Sequence, residues 1–361
     1  PLRQCLDSLL ELNYDDCEVI VVDDGSKDDT AEILKDYEGK VRVVTQENKG
    51  LSEARNAGIH AAAGEVIAFT DSDCYADPDW LYHLMLSMQW RSFSGIGGPN
   101  LTPQEPRLLH RCVAYAPGHA THVMLDDEEA EHVPGCNMAF LREALLEVEG
   151  FDPVYRKAGD DVDIIWRMRE LGHHIGFSPG AFVWHHRRTT IRDYWKQQKG
   201  YGEAEALLLR KHPHRFNDRG ESLWRGMIYS PQEVSSPFRR ADVHYGVFCS
   251  AGYQCLYEKR SGFFTYLVTS LTWWLTCLAL LVAGIFSVEA LIIGLLGIVC
   301  TLTISGLRAK RRFDRASDLP GRFYFVIWFL WITQPFVREG MRYWVRMRGR
   351  APTEQFQEAM K

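Results

Sequence analysis

The 361-residue sequence lacks several patterns that mark common classes of protein. Its net charge is −6 and no segment is basic over a whole domain, which gives no reason to expect nucleic acid as a partner. Nine cysteines are scattered without a Cys-x-x-Cys pair, as in proteins with reduced thiols and unlike a disulfide framework or a zinc site. No Gly-x-Gly-x-x-Gly follows the first predicted strand, which argues against a nicotinamide dehydrogenase.

Short apolar strands and amphipathic helices alternate through the first 211 residues. β-branched or apolar runs predict strands at 17–22, 41–44 and 66–69, and helical spacing predicts helices at 51–63 and 191–211. This alternation predicts an α/β fold with a mostly parallel sheet that is covered by helices on both faces.

Two aspartates follow the central predicted strand directly. Val66–Phe69 is the strand, and Asp71 and Asp73 come next with Ser72 between them. Ligands of open α/β sheets gather beyond the carboxyl ends of the strands, and two carboxylates there suit Mg²⁺ or Mn²⁺ and hence a diphosphate. An ordinary turn is the alternative, because aspartate favours turns.

The order of further motifs resembles the family 2 glycosyltransferases, which are inverting nucleotide-sugar enzymes of the GT-A fold (a Rossmann-like α/β fold). The likeness spans about residues 1–210. The segments that carry it are Val21-Val22-Asp23-Asp24-Gly25-Ser26, Asn48-Lys49-Gly50, Ala54-Arg55-Asn56-Ala57-Gly58, Asp71-Ser72-Asp73, Gly135-Cys136-Asn137-Met138-Ala139-Phe140, Gly150-Phe151-Asp152, Gly159-Asp160-Asp161-Val162-Asp163 and Trp184-His185.

The resemblance implies roles for the acidic residues and one histidine. Asp73 contacts the metal ion, Asp71 reaches the metal through water or binds the ribose, and His185 completes the metal site. The acceptor hydroxyl must lose a proton, and the matching position makes Asp161 the general base. Asp160, where the family has Glu, would make a metal-side or acceptor contact. Two of these residues have structural alternatives: His185 could be a strand-end histidine, and Asp161 could be an acid at the N-terminus of a helix.

The resemblance also implies a nucleotide-binding group. Asp23 or Asp24 would bind the base and ribose, and Arg55 would contact the nucleotide phosphate or hold Asp24. Asn137 is predicted to contact the nucleotide sugar. Turn aspartates at the end of a strand are the alternative for the first pair.

The chain departs from the family pattern in two places. The family begins with a strand upstream of the helix that starts here, so we expect the natural gene product to begin earlier than Pro1. Polymerising members carry Gln-x-x-Arg-Trp, whereas Gln197-Gln198-Lys199-Gly200 has no Arg-Trp after it. That difference favours transfer of a single sugar.

Long apolar runs dominate from residue 263 onward. We predict membrane helices at 263–286 and 290–307, with basic flanks that place both ends in the cytosol. A third run, 323–337, is short and contains Pro335, which favours a re-entrant or surface-lying helix. The predicted organisation is a GT-A domain (1–211), an interfacial connector (212–262), membrane helices (263–345) and a basic and polar tail (346–361).

The sequence therefore predicts a multi-pass protein of the inner (plasma) membrane whose catalytic domain faces the cytosol. It would move one sugar from a nucleotide-diphosphate sugar to a lipid-linked or membrane-near acceptor, such as a polyprenyl-linked glycan, in cell-surface polysaccharide synthesis. Mg²⁺ or Mn²⁺ is the predicted cofactor, and membrane lipids are predicted partners. The alternatives are a processive polysaccharide synthase and a membrane-anchored protein without turnover.

Overall fold

The computed structural model describes residues 1–103, 107–119, 121–217, 222–224, 263–315 and 319–348. The helices are, in chain order, α1 Leu2–Leu10, α2 Thr30–Lys35, α3 Leu51–Ala61, α4 Trp80–Arg91, α5 Leu108–Ala114, α6 Arg142–Glu147, α7 Asp160–Glu170, α8 Ile191–Lys211, α9 Phe263–Thr269, α10 Leu271–Ala283, α11 Val288–Arg315 and α12 Tyr324–Met347. The strands are β1 Ile20–Asp23, β2 Arg42–Thr45, β3 Val66–Phe69, β4 Cys74–Ala76, β5 Gly95–Gly97, β6 Asn100–Leu101, β7 Val123–Met124, β8 Ala130–His132, β9 Met138–Leu141, β10 Ile175–Phe177 and β11 Val183–His185.

A four-stranded sheet in the order β10-β5-β9-β3 forms the centre of the α/β domain. Alternate side chains along its strands point to two different layers of core. Ile67 and Phe69 of β3 pack with helices α6 and α7 on one face, and Ala68 packs with α4 on the other. Helices therefore cover both faces of the sheet, as predicted.

The sheet is mixed, which corrects the prediction of a mostly parallel one. β10 and β5 are parallel, but β9 runs antiparallel to both β5 and β3. The segment between β5 and β9 returns along the carboxyl edge of the sheet, so β9 has to start at that edge and run backwards. Met138, its first residue, pairs with Gly97 and Phe69, the last residues of β5 and β3.

The described residues also form three smaller sheets, one of which is the antiparallel pair of β7 and β8. β1 and β2 form a separate parallel pair, and β4-β11-β6 form a three-stranded sheet in which β11 is antiparallel to β4. The β4–β11 pairing matters most for the site, because it places the end of β11 beside the residues that follow β3.

The C-terminal apolar region differs from the predicted set of membrane helices. The run 263–286 is divided between α9 and α10, and α10 has 13 residues, too few to cross a bilayer core of about 30 Å. The run 290–307 lies within α11. Within the described ranges, Val288–Asp314 is the one helix that is long and apolar enough to span a membrane, and the predicted multi-pass arrangement is not supported.

The third apolar run is also different from its prediction. Instead of a short broken element at 323–337, α12 is a continuous helix of 24 residues with Pro335 inside it. It packs along α8 of the α/β domain. Most of the predicted connector (218–221 and 225–262) and of the predicted tail (349–361) lies outside the described residues.

Close backbone approach and a charged cluster join α8 to α12. Gly202 lies against α12 so tightly that an added Cβ would be 2.1 Å from the Arg338 carbonyl oxygen. One turn away, Glu205 accepts hydrogen bonds from Arg338 at 2.7 and 2.9 Å and pairs with Arg342 at 3.3 Å. The apolar C-terminal region is thus fixed to the domain that carries the acidic motifs.

Two glycines on one helix provide a matched test of this packing. We expect Gly202→Ala to lower the thermal unfolding midpoint in detergent, because overpacking of a tight contact costs about 1–3 kcal/mol. Gly200→Ala should be neutral or slightly stabilising, because a Cβ there meets nothing within 4 Å and alanine favours helix. Equal shifts for the two variants would contradict the observed α8–α12 contact.

Candidate active site

The turn after β3 brings Asp71 and Asp73 to one side of the chain. The Cys74 amide donates to the Asp71 carbonyl at 2.9 Å, which closes the turn before β4 begins. Ligand atoms of Asp71, Asp73 and His185 all lie within 4.8 Å of one another. The structure therefore brings together the three residues that the sequence predicted as metal ligands.

His185 reaches this turn through strand pairing. It ends β11 and lies directly opposite Cys74 of β4, while the His186 amide donates to the Asp73 carbonyl at 3.0 Å. Its Nε2 is 3.4 Å from Asp73 Oδ1, and Arg187 lies 3.4 Å from its Nδ1. Burial lowers the pKa of His185, but Asp73 and Cys136 outweigh it and raise this pKa to about 9.

Positive charge gathers on the same carboxylate. Arg188 donates to Asp73 Oδ2 at 3.1 Å. Burial alone would raise the pKa of Asp73, but His185 and Arg188 together hold this pKa below its usual value. Asp73 is therefore an anion at neutral pH, as a metal ligand has to be.

Arg55 joins this turn to the start of α7. Its buried guanidinium forms an ion pair with Asp160, donates to Asp71 Oδ1 at 3.2 Å and donates to the Gly135 carbonyl at 3.0 Å. Its partner as predicted from the sequence was a nucleotide phosphate or Asp24. The prediction of Asp24 is wrong, because the buried face of α3 turns Arg55 towards α7 and β3.

Asp160 and Asp161 begin α7, where the helix dipole favours anions. Asp160 is 2% exposed and pairs with Arg55, whereas Asp161 is 17% exposed. Burial raises the pKa of Asp160 to about 6, although Arg55 opposes the change. For Asp161, burial is outweighed by His132, Arg55 and the Gly135 amide, which lower the pKa to about 2.

His132 is a residue of this site that the sequence analysis missed. It ends β8, is buried, and its Nε2 lies 3.4 Å from Asp161 Oδ2 while its Nδ1 lies 3.2 Å from the Thr121 carbonyl oxygen. The Gly135 amide donates to the same Asp161 oxygen at 3.0 Å. In the sequence, the one sign that His132 belongs to the site is its position shortly before the Gly135-Cys136-Asn137 motif.

The two strand-end aspartates of β1 have different surroundings from those predicted. Asp24 accepts hydrogen bonds from Gln46 and from the amides of Lys49 and Gly50, at 2.7–2.8 Å, with both of its oxygens. These bonds hold the turn that precedes α3, so Asp24 has a structural role. Asp23 Oδ1 accepts from the Ser26 amide at 2.9 Å, and Asp23 remains the predicted nucleotide contact of the pair.

The Asn137 side chain, which was predicted to contact the nucleotide sugar, lies in the core. Its side chain is fully buried, its amide donates to the carbonyls of Pro99 and Ala181 at 2.9 and 2.8 Å, and its Oδ1 accepts from Trp80 Nε1 at 2.8 Å. The side chain thus packs towards α4, and its contact with the nucleotide sugar stays a prediction.

Two thiols lie directly beneath the Asp71–Asp73 turn. Cys74 and Cys136 are buried, and their sulfurs, together with a ring nitrogen of His185, lie within 4.8 Å of one another. The Cys74 thiol donates to Cys136, which with His185 keeps the pKa of Cys136 well below its usual value. Sequence spacing had argued against any zinc-type cluster, because residues so far apart meet only in the fold.

The donor set fits the predicted cation. Two carboxylates and one imidazole are ligands that Mn²⁺ accepts readily, and Mg²⁺ uses the carboxylates with water. Asp71 and Asp73 are both partly exposed, at 36% and 23%, so they border the side from which a diphosphate would approach.

The Arg55–Asp160 pair can be tested by a double-variant cycle. We expect Arg55→Met to lower the free energy of unfolding by about 3–5 kcal/mol, because it leaves a buried carboxylate without its partner. The double change R55M/D160N should recover at least half of that loss. Urea unfolding monitored by fluorescence gives both values.

Arg91→Met is the matched control for this cycle. Arg91 pairs with Glu128 at 2.6 Å, but both side chains are about half exposed, so its loss should cost no more than about 1 kcal/mol. If R55M were no more damaging than R91M, Arg55 would not be the link between the two halves of the site.

Comparison with known proteins agrees with the family resemblance. Residues 1–148 match the profile of the family described as glycosyl transferase family 2. The pre-mycofactocin glycosyltransferase of Mycobacterium tuberculosis is 30% identical over 232 residues, which cover 59% of this chain and 46% of that protein. The poly-beta-1,6-N-acetyl-D-glucosamine synthase of Staphylococcus aureus is 25% identical over 218 residues, which cover 58% of this chain and 52% of that protein. The chain thus spans about half the length of these curated relatives.

Among solved structures, the S. aureus protein TarS (residues 1–349) overlaps this chain with a TM-score of 0.42 and 20% identity, over 58% of this chain and 60% of TarS. A TarS structure in complex with UDP overlaps this chain with a TM-score of 0.41 and 19% identity. The family match and the observed architecture confirm the α/β GT-A fold class, with the sheet mixed. Residues 1–148 of the chain therefore form a glycosyl transferase family 2 domain.

Proposed function

We propose that this protein is an inverting glycosyltransferase that moves a single sugar from a nucleoside-diphosphate sugar to an acceptor near a membrane. One observation carries the proposal. Asp71 and Asp73 after β3 meet His185 at the end of β11, and Arg55 connects Asp71 to Asp160, the residue that precedes Asp161 at the start of α7.

The donor would bind at the Asp71–Asp73 turn. Asp71, Asp73 and His185 would hold Mg²⁺ or Mn²⁺, which supplies positive charge next to the departing diphosphate. Arg188, which already pairs with Asp73, adds a cation on the same side. Asp23, at the end of β1, is the proposed contact of the nucleoside.

The acceptor would bind at Asp161. This carboxylate removes the proton of the acceptor hydroxyl while the hydroxyl oxygen bonds to the anomeric carbon and the bond to the diphosphate breaks. Attack on the side opposite the diphosphate inverts the configuration. Asp161 suits this role better than Asp160 because it is more exposed and is not neutralised directly by Arg55.

Three neighbouring groups would keep the base in position. His132 and the Gly135 amide both lie at Asp161 Oδ2, and the Val162 amide donates to Oδ1 at 2.9 Å. These contacts fix the carboxylate plane before the acceptor arrives. Asp160 would then act indirectly. Its ion pair with Arg55 would orient the start of α7 relative to the Asp71–Asp73 turn.

The apolar helices support an acceptor that lies at a membrane. α10 and α11 form a hairpin whose tip is strongly exposed, with Ile285 at 77% and Phe286 at 91%. We propose that this hairpin enters the plasma membrane and that the α/β domain faces the cytosol, where nucleotide sugars are made. A lipid-linked glycan, such as one on a polyprenyl carrier, is the acceptor class that fits this placement.

A processive synthase is the second candidate. The relative named poly-beta-1,6-N-acetyl-D-glucosamine synthase favours it. Against it, α8 carries Gln197 and Gln198 without the Arg-Trp that follows in polymerising members. The length of the product made by the purified chain distinguishes the two.

Donor binding should depend on both the cation and its proposed ligands. With Mn²⁺ present, one member of a panel of UDP, GDP and dTDP should raise the thermal unfolding midpoint, since a ligand at a hundredfold excess over its Kd stabilises by about 2.7 kcal/mol. The shift should disappear with EDTA and in Asp73→Asn. Glu65→Gln, an exposed change at the other end of β3, should keep it; a shift that survives in D73N would exclude this metal site.

Catalysis should depend on Asp161 separately from donor binding. Asp161→Asn should lower the transfer rate by at least about a hundredfold, within the range that loss of a general base produces, while the nucleotide shift remains. Glu143→Gln, which changes an exposed acid in the first turn of α6, should transfer at the normal rate. Radiolabelled donor incorporation measures both, and near-normal transfer by D161N would reject this base.

A further inference from the structure

We propose that Cys74, Cys136 and His185 form a second metal site, for a thiophilic divalent cation such as Zn²⁺, and that filling it inhibits the enzyme. The inhibition rests on the proposed function, because His185 is shared with the Asp71–Asp73 cation site. The binding itself rests only on the cluster of two sulfurs and one ring nitrogen.

Strand pairing between β4 and β11 places two of the three ligands. Cys74 starts β4 and His185 ends β11, and the two are direct partners across an antiparallel pair, so their side chains lie on the same face. Cys136 comes from the loop that leads into β9. The three side chains are 1%, 3% and 8% exposed, which is the closed environment typical of zinc bound by thiolates.

The separations are close to those that zinc requires. All three ligand atoms lie within 4.8 Å of one another. A tetrahedral ion with Zn–S bonds of about 2.3 Å holds two sulfurs about 3.8 Å apart, so small side-chain rotations close the site. Asn100 Nδ2 lies 3.5 Å from Cys136 Sγ and can support the sulfur from outside, as second ligand layers do.

The chemistry of the two ligand sets separates their metals. Asp71 and Asp73 offer hard oxygens for Mg²⁺ or Mn²⁺, whereas two thiolates select Zn²⁺ or Cd²⁺. His185 belongs to both groups and so joins the buried sulfurs to the partly exposed aspartates. Two dications so close together repel each other, and both sites use His185, so filling one should weaken binding at the other.

The test uses the purified full chain with reduced thiols and Cd²⁺ as an optical probe. Cd²⁺ should produce thiolate-to-metal charge-transfer absorption in the ultraviolet with one equivalent bound at the highest affinity. Cys136→Ser and, as a second variant, Cys74→Ala should lose this absorption or bind at least tenfold more weakly. Cys112→Ser, a change to a buried thiol of another cluster, should leave it unchanged.

Activity is read as the ratio of the rates with and without Zn²⁺ for each variant separately. The wild-type chain should lose half its rate at a Zn²⁺ concentration at least tenfold lower than C136S requires, and added Mn²⁺ should raise that concentration in the wild type. Absence of thiolate absorption in the wild type, or absorption that persists in both variants, overturns the inference. If the chain shows thiolate absorption but transfers no sugar, the metal site stands and the proposed function is rejected.

Discussion

The buried guanidinium of Arg55 is the interaction on which the site depends. Three elements with no sequence connection to one another, the turn after β3, the start of α7 and the loop before β9, all present oxygen atoms to it. Without this cation, the buried Asp160 carboxylate would lie near Asp71 with no positive partner, and burying a charge without a partner is costly. Arg55 therefore allows several acids to be concentrated where a diphosphate and a sugar have to be handled.

The position of Arg55 depends in turn on the start of α3. Asp24 accepts from two backbone amides of the turn at Lys49 and Gly50, and the Ser52 hydroxyl donates to the Tyr155 carbonyl at 2.7 Å. These contacts fix the first turn of the helix on the segment that leads into α7. An aspartate that sequence motifs assign to the nucleotide thus acts one step away, by holding the helix that carries the organising arginine.

Local patterns predicted the elements well where the pattern was strong. The apolar run Val66–Phe69 and the long amphipathic helix Ile191–Lys211 have the same bounds in sequence and structure. The direction of β9 was not predictable, because an apolar run carries no information on which neighbours it pairs with. The division of 263–286 into α9 and α10 was missed because hydropathy measures composition and not helix continuity.

The sequence predicted which residues belong to the candidate site better than it predicted the contacts between them. Asp71, Asp73 and His185 do meet, but only the pairing of β4 with β11 explains how. His132 and Cys136 belong to contacts between distant segments, for which no spacing rule exists. Asn137 lies within a family motif yet its side chain serves the core, which shows that a motif position alone does not say which way a side chain points.

The arrangement of acids around a single ion is the central claim, and anomalous diffraction tests it most directly. In crystals grown with Mn²⁺ and a bound nucleoside diphosphate, data collected at the manganese edge should show one strong peak within bonding distance of Asp73 and His185, next to the diphosphate. A nucleotide bound with no such peak, or a peak remote from these two side chains, would contradict the account.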